Sequence, residues 1–100
     1  MKLAFIGTGK IIADALFAIE PIKEIEKTAI FARPHSKEKA EAFAKQYNIA
    51  EVYTDYEKLL TETTADTVYI GLINSAHYSY AKQALLHGKN VILEKPFTGF

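Results

Sequence analysis

Leu3-Ala4-Phe5-Ile6-Gly7-Thr8-Gly9 is the stretch on which the fold turns. Four consecutive apolar residues suit a strand covered on both faces, as in the middle of a parallel sheet, and the glycines that follow end it in a tight turn. Past the turn, Ile12, Ala15, Leu16 and Ile19 recur at the i, i+3, i+4, i+7 spacing of one helical face, and Pro21 cannot continue the helix. The spacing predicts a helix of about ten residues entered directly from a buried strand.

The same unit repeats downstream. Thr28 to Ala32 reads as a second strand broken at Arg33-Pro34-His35, and Ser36 is the expected N-cap of a helix whose inner face is Ala40, Phe43, Ala44 and Tyr47. Glu51-Val52-Tyr53 is a short third strand. Thr54 with Glu57 three residues on forms a capping-box pattern that opens a helix burying Leu59 and Leu60. Asp66 to Leu72, rich in β-branched and aromatic residues, is the strongest strand of the chain. After Asn74-Ser75 a helix runs to Leu86, with Tyr78, Ala81 and Leu85 as its packing face and Gly88 as its C-terminal glycine. Asn90 to Glu94 is the fifth strand. Parallel neighbours require crossover connections, so this alternation predicts an α/β fold, a doubly wound parallel sheet in the order 3-2-1-4-5 with helices on both faces.

A chain of 100 residues, 49% of them hydrophobic, has room for one domain spanning 1–100 and can build its core without staples. The absence of cysteine excludes disulfides and cysteine-ligated metal, and no metal site is expected. Twelve basic against twelve acidic side chains argue against a nucleic-acid binder, which needs a cationic surplus to displace counterions. No apolar run approaches the roughly 18–20 residues of a membrane span. Met1 to Ile6 could begin a signal peptide, but Lys10 and Asp14 fall where its apolar core should continue. A soluble, cytoplasmic protein with no membrane or nucleic-acid partner is expected.

Gly7-x-Gly9, placed after a buried strand and opening a helix, is the first part of a dinucleotide fingerprint. The first glycine makes the turn, the second lets a pyrophosphate approach the backbone, and the helix N-terminus supplies free N–H groups and partial positive charge. An ordinary strand-to-helix turn is the plainer reading of the dipeptide taken alone. The third glycine of the pattern would fall at position 12, which is Ile12. An isoleucine there should hold the helix slightly off the strand. The tip of the second strand discriminates between nucleotides, because an acidic residue there binds a ribose 2′-OH and an arginine accommodates a 2′-phosphate. No Asp or Glu occupies it. Arg33, with Ser36 and either Lys37 or His35, would make a charge-assisted clamp, which favours NADP over NAD. His35 and His87 are read as solvent-exposed, and Tyr69, Tyr78 and Tyr80 are assigned no catalytic role.

In Asn74-Ser75-Ala76-His77, and above all in Glu94-Lys95-Pro96 after the fifth strand, the chain resembles the glucose-fructose oxidoreductase, inositol dehydrogenase and MocA (Gfo/Idh/MocA) family of NAD(P)-dependent oxidoreductases. The match spans the whole chain, with Gly7 to Ile11, Ala32-Arg33, Asp66 to Ile70, Asn74 to His77 and Lys89 to Phe97 in family order. It departs from the family pattern at Ile12 and at Ile73, where a proline often precedes the Asn. The resemblance implies a Rossmann domain whose cofactor contacts come from Gly7, Thr8, Gly9, Lys10 and Ile11, from Arg33 and Ser36, and from Leu72, Asn74 and His77 past the fourth strand. It further implies that Glu94 sits beside the nicotinamide ribose and that Lys95 is catalytic, reaching the reacting oxygen of the substrate to stabilise an alkoxide or pass a proton. Pro96 would fix the chain direction that presents Lys95.

Family members carry a second α+β domain that binds substrate and mediates oligomer contacts. The resemblance therefore implies that residues 1–100 are the nucleotide-binding part, truncated before that substrate domain and inactive alone. The expected function is hydride transfer between a nicotinamide cofactor, NADP before NAD, and a sugar, polyol or related small carbonyl or alcohol, in a homo-oligomer. The alternative is a non-catalytic NADP(H)-binding or sensing module. Such a module has no use for a lysine aimed at the nicotinamide.

Overall fold

Lys2–Ile6 forms β1, the middle strand of a five-stranded sheet in the order β3-β2-β1-β4-β5, every neighbouring pair parallel. The computed structural model describes residues 1–71 and 76–93, with no side-chain detail at 76 and 77. The remaining elements are α1 (Lys10–Ile19), β2 (Glu26–Phe31), α2 (Lys37–Tyr47), β3 (Glu51–Tyr53), α3 (Tyr56–Glu62), β4 (Thr67–Ile70), α4 (Ala76–Leu86) and β5 (Asn90–Leu93). The expected architecture and strand order are the observed ones. Strand alternation divides β1 between two cores. Leu3 and Phe5 pack with Ile12 and Leu16 of α1, Ile30 of β2 and Ala40 of α2, while Ala4 and Ile6 pack with Leu59 and Leu60 of α3 and Ala81 and Ala84 of α4. Ile6 lies opposite Phe31 on one side and Ile70 on the other, so β1, β2 and β4 end level and their following turns open on one edge.

Ser36 is the N-cap of α2 as expected, although its side chain makes no cap hydrogen bond, a 3₁₀ turn at Pro34–Ser36 leading directly into the helix. Two local expectations are corrected. The N-cap of α3 is Asp55 and not Thr54, the Asp55 carboxylate accepting from the backbone N–H of Lys58 at 3.2 Å. Tyr78 and Leu85 are 75% and 61% exposed, and Ala81 with Ala84 seat α4 on the sheet instead. Two small residues let the helix approach closely, and the aromatic packing is made by Tyr80, whose ring lies 5.8 Å from that of Phe31 and 4.5 Å from that of Tyr56. Boundaries differ by a few residues. β2 begins at Glu26 and ends at Phe31, and β4 is confined to Thr67–Ile70.

The β1–β2 register slips between Leu3, opposite Lys27, and Ala4, opposite Ala29, leaving Thr28 without a partner in β1. The Thr28 hydroxyl is buried there with no hydrogen-bond partner among the described residues. At the amino edge of the sheet the Asp66 carboxylate accepts from the Thr67 hydroxyl at 2.7 Å and from the Lys2 backbone N–H at 3.3 Å. Those bonds, the Thr67 one foremost, hold its pKa below the usual carboxylate value. A depressed carboxylate pKa stabilises the fold above the unfolded value and loses that stabilisation as pH falls through the folded one. Asp66→Asn should therefore flatten the acid limb of a thermal-midpoint profile below about pH 4. An unchanged profile would show that the bonds contribute nothing to acid stability.

Candidate functional site

The site is built on the carboxyl edge, beginning with the turn after β1. Gly7 donates its backbone N–H to the Phe31 carbonyl at 2.9 Å, so the chain leaves β1 still bonded to β2. It then turns at a Gly7 φ of 121°, a region that side chains of L-residues rarely enter. Gly7 is required by conformation. Gly9 is not. At φ −83° and ψ −168° it is ordinary extended backbone, and a Cβ added there would meet nothing within 4 Å. Neither strain nor packing among the described residues calls for glycine at this position, and its effect is to leave bare backbone at the start of α1.

Gly9 is the N-cap of α1, and the helix has no side-chain cap bond and no acidic residue in its first turn. Most helices meet their orphan N–H groups with a Ser, Thr, Asp or Asn, or with an acid nearby. Here the first helical residue is Lys10, a cation where the helix field favours anions. Lys10 pairs with Asp14 at 3.2 Å, with both side chains largely in water. Such a pair contributes about 0–1 kcal/mol and is readily exchanged for another anion. Thr8 is half-buried beside the turn.

At the tip of β2, Ala32 is buried and its N–H donates to the Tyr53 carbonyl at 3.0 Å. Arg33 follows in extended conformation, its carbonyl accepting from the Ser36 N–H at 2.8 Å. The Arg33 side chain is exposed and makes no ion pair with any described residue. His35 and Lys37 are exposed beside it, Ser36 is half-buried, and no carboxylate stands at the strand tip. Arg33, His35, Ser36 and Lys37 thus all follow β2 on the edge that carries the glycine turn.

In the core beneath α3 and α4, Tyr56 donates its hydroxyl to the Tyr80 carbonyl at 2.8 Å. Burial pushes the Tyr56 hydroxyl pKa well above its usual value, so it stays a neutral donor. Among the described residues no group of three or more His, Asp or Glu is placed to hold a metal ion, and no helix is long and apolar enough to cross a membrane. Leu72, Asn74, Glu94 and Lys95 lie outside the described residues, as does the side chain of His77.

One residue of the site was missed by sequence reasoning. Gly71 extends β4 by donating its N–H to the Ile6 carbonyl at 3.0 Å. A Cβ at Gly71 would lie 2.6 and 2.7 Å from Cδ1 and Cγ1 of Ile12, and 3.3 Å from Cγ2 of Ile11. Ile12 is fully buried, and the space it needs comes from the missing side chain at the end of β4. A glycine closing a strong β-branched run was the available signal.

Residues 1–99 match the model of an oxidoreductase family described by its NAD-binding Rossmann fold. Trans-1,2-dihydrobenzene-1,2-diol dehydrogenase of Xenopus laevis is 32% identical over 95 residues, which are 95% of this chain and 29% of that protein. The NADP(+)-dependent scyllo-inositol 2-dehydrogenase of Bacillus subtilis is 34% identical over 97% of this chain and 29% of its own length. Among solved structures, a 3-ketoreductase from Actinomadura kijaniata in complex with TDP-benzene and NADP superimposes with a TM-score of 0.85 at 32% identity, over 96% of this chain and 30% of the other. The chain spans less than a third of the length of these relatives.

Proposed function

The chain belongs to that oxidoreductase family, and from this premise we propose that it is the cofactor-binding domain of an enzyme that moves hydride between NADP and a carbonyl or secondary alcohol of a sugar- or polyol-like molecule. The observation that carries the reading is Gly9. A glycine needed neither for conformation nor for packing, at the N-cap of a helix with no acidic residue in its first turn, leaves bare backbone where an anion can approach. The residues present fit a dinucleotide diphosphate. Free N–H groups of the first turn of α1 would hold its oxygens, Gly7 sets the turn that aims them, and Lys10 would exchange Asp14 for phosphate.

The bound nicotinamide supplies the hydride chemistry. Arg33 and Ser36 would bind the 2′-phosphate of NADP, a reading supported by a guanidinium that pairs with no described residue and by the absence of an acid at the tip of β2. It also agrees with the NADP in the names of two of the relatives. We assign Leu72, Asn74 and His77 to the cofactor wall beyond β4, Glu94 to the nicotinamide ribose, and Lys95 to the proton at the substrate oxygen. The substrate wall and the oligomer contacts are assigned to chain of the kind that makes up the rest of the relatives' length. Orientation of two reactants accounts for about 7–11 kcal/mol of a barrier, so residues 1–100 alone should turn over negligibly.

Calorimetric titration of the chain with NADP and with NAD, repeated on Arg33→Ala, tests the reading. NADP should bind about tenfold more tightly, roughly 1.4 kcal/mol, and the substitution should erase the difference. Tighter binding of NAD would overturn the NADP assignment. Absence of binding by either nucleotide at millimolar concentration would overturn the cofactor reading.

A further inference from the structure

The sheet order reverses between β1 and β4, and in doubly wound sheets the crevice that takes the ligand lies at that reversal. Its two walls are the turn into α1 and the end of β4. Ile12 and Gly71 meet between them.

We propose that Ile12 and Gly71 form a positioning pair that sets how closely the N-terminus of α1 approaches the end of β4, and so sets the grip on the dinucleotide diphosphate. In the dinucleotide fingerprint the third glycine, on the helix, gives close helix-to-strand packing. In this chain the helix carries an isoleucine at that position and the strand beside it carries a glycine, so the room for that side chain is made on the strand.

Gly71 is not a glycine for conformational reasons, since its φ lies outside the left-handed region where Gly7 and Gly88 sit. Its role is spatial. A Cβ there would stand 2.6 to 2.7 Å from two Ile12 carbons. Ile12 cannot swing aside, because it is fully buried among Leu3, Phe5, Leu16 and Ile30, and a β-branched side chain in a helix has essentially one χ1 rotamer. Rotation about χ2 relieves Cδ1 and leaves Cγ1 where it is. The remaining freedom is movement of α1 away from β4, which carries the N–H groups of its first turn away from the diphosphate. Ile11 stands 3.3 Å from the same point and reinforces the limit.

This inference rests on the cofactor reading above, and the experiment separates the two. The wild-type chain, Gly71→Ala and Gly71→Ala/Ile12→Ala are titrated with NADP and with adenosine 2′-phosphate, which reaches the Arg33 clamp and carries no diphosphate. Gly71→Ala should weaken NADP at least tenfold and leave adenosine 2′-phosphate within twofold, and Ile12→Ala in that background should restore most of the NADP affinity. An unchanged NADP affinity in Gly71→Ala, or an equal loss for both probes, overturns the proposal while leaving the cofactor reading intact. No NADP or NAD binding by the wild-type chain overturns the cofactor reading and this role with it. If Gly71→Ala does not fold, the double variant decides. Folding with NADP affinity near wild type supports the pair, and folding without NADP binding overturns it.

Discussion

Gly9→Asp should make the chain more stable and unable to hold a dinucleotide. The position already has the extended backbone of an N-cap, and an added side chain meets nothing. An aspartate there can accept from the orphan N–H groups of the first turn, which gains a few tenths of a kcal/mol over glycine. Its charge against the helix field adds about 0.3–1 kcal/mol, and the loss of glycine freedom in the unfolded chain adds a comparable amount. The sum is about 1–2 kcal/mol, a rise in thermal midpoint of at least roughly 4–8 °C for a domain of this size. The same carboxylate occupies the N–H groups a diphosphate would use and repels it. Affinity for NADP should fall more than about 100-fold, or roughly 2.7 kcal/mol. Thermal denaturation without ligand and calorimetry with it measure the two effects. Undiminished NADP binding would show that the diphosphate does not use the start of α1.

Phe5→Ala should remove about 3–5 kcal/mol, a large fraction of the roughly 5–15 kcal/mol that holds a domain together. Phe5 is fully buried on the middle strand, between Ile30 and Tyr69 in the register, with its ring 6.0 Å from that of Tyr69. It lies under Ile12 and Leu16 of α1 and shares one core with them. Flanking strands on both sides keep the site from collapsing, so the cavity term should be near its full size. The thermal midpoint should drop by more than about 12 °C. Because Gly7 follows β1 directly, nucleotide binding should be lost as the fold unravels. A drop of only a few degrees would mean that the two helices on that face close over the gap.

Much of this was legible in the chain. Leu3 to Ile6 announces a doubly covered strand because no polar residue interrupts it, and the Gly7-x-Gly9 turn follows at once. Ile12, Leu16, Ala40, Leu59 and Leu60 are buried as their periodicity requires. Capping was less legible, since Thr54 and Asp55 are both acceptable N-caps and only the path of the chain out of β3 selects Asp55. The packing face of α4 was misread because Tyr78, Ala81 and Leu85 have the right spacing for a buried stripe. Spacing gives the period of a stripe and not its angle. Ala84 takes the place given to Leu85 because the sheet, and not the helix, determines which side is covered.

Local sequence alone determined the order of elements, the parallel sheet, the helix entered through glycines and the cation at the tip of β2, because each depends on neighbours within a few residues. The tertiary structure decided why each glycine is there. Gly7, Gly9 and Gly71 are identical letters, yet the first serves a positive φ, the second leaves backbone bare and the third makes room for an isoleucine on another element. The role of an absent side chain is defined by what would otherwise touch it, and for Gly71 those atoms belong to residues about sixty positions earlier, brought close only when β4 docks beside β1.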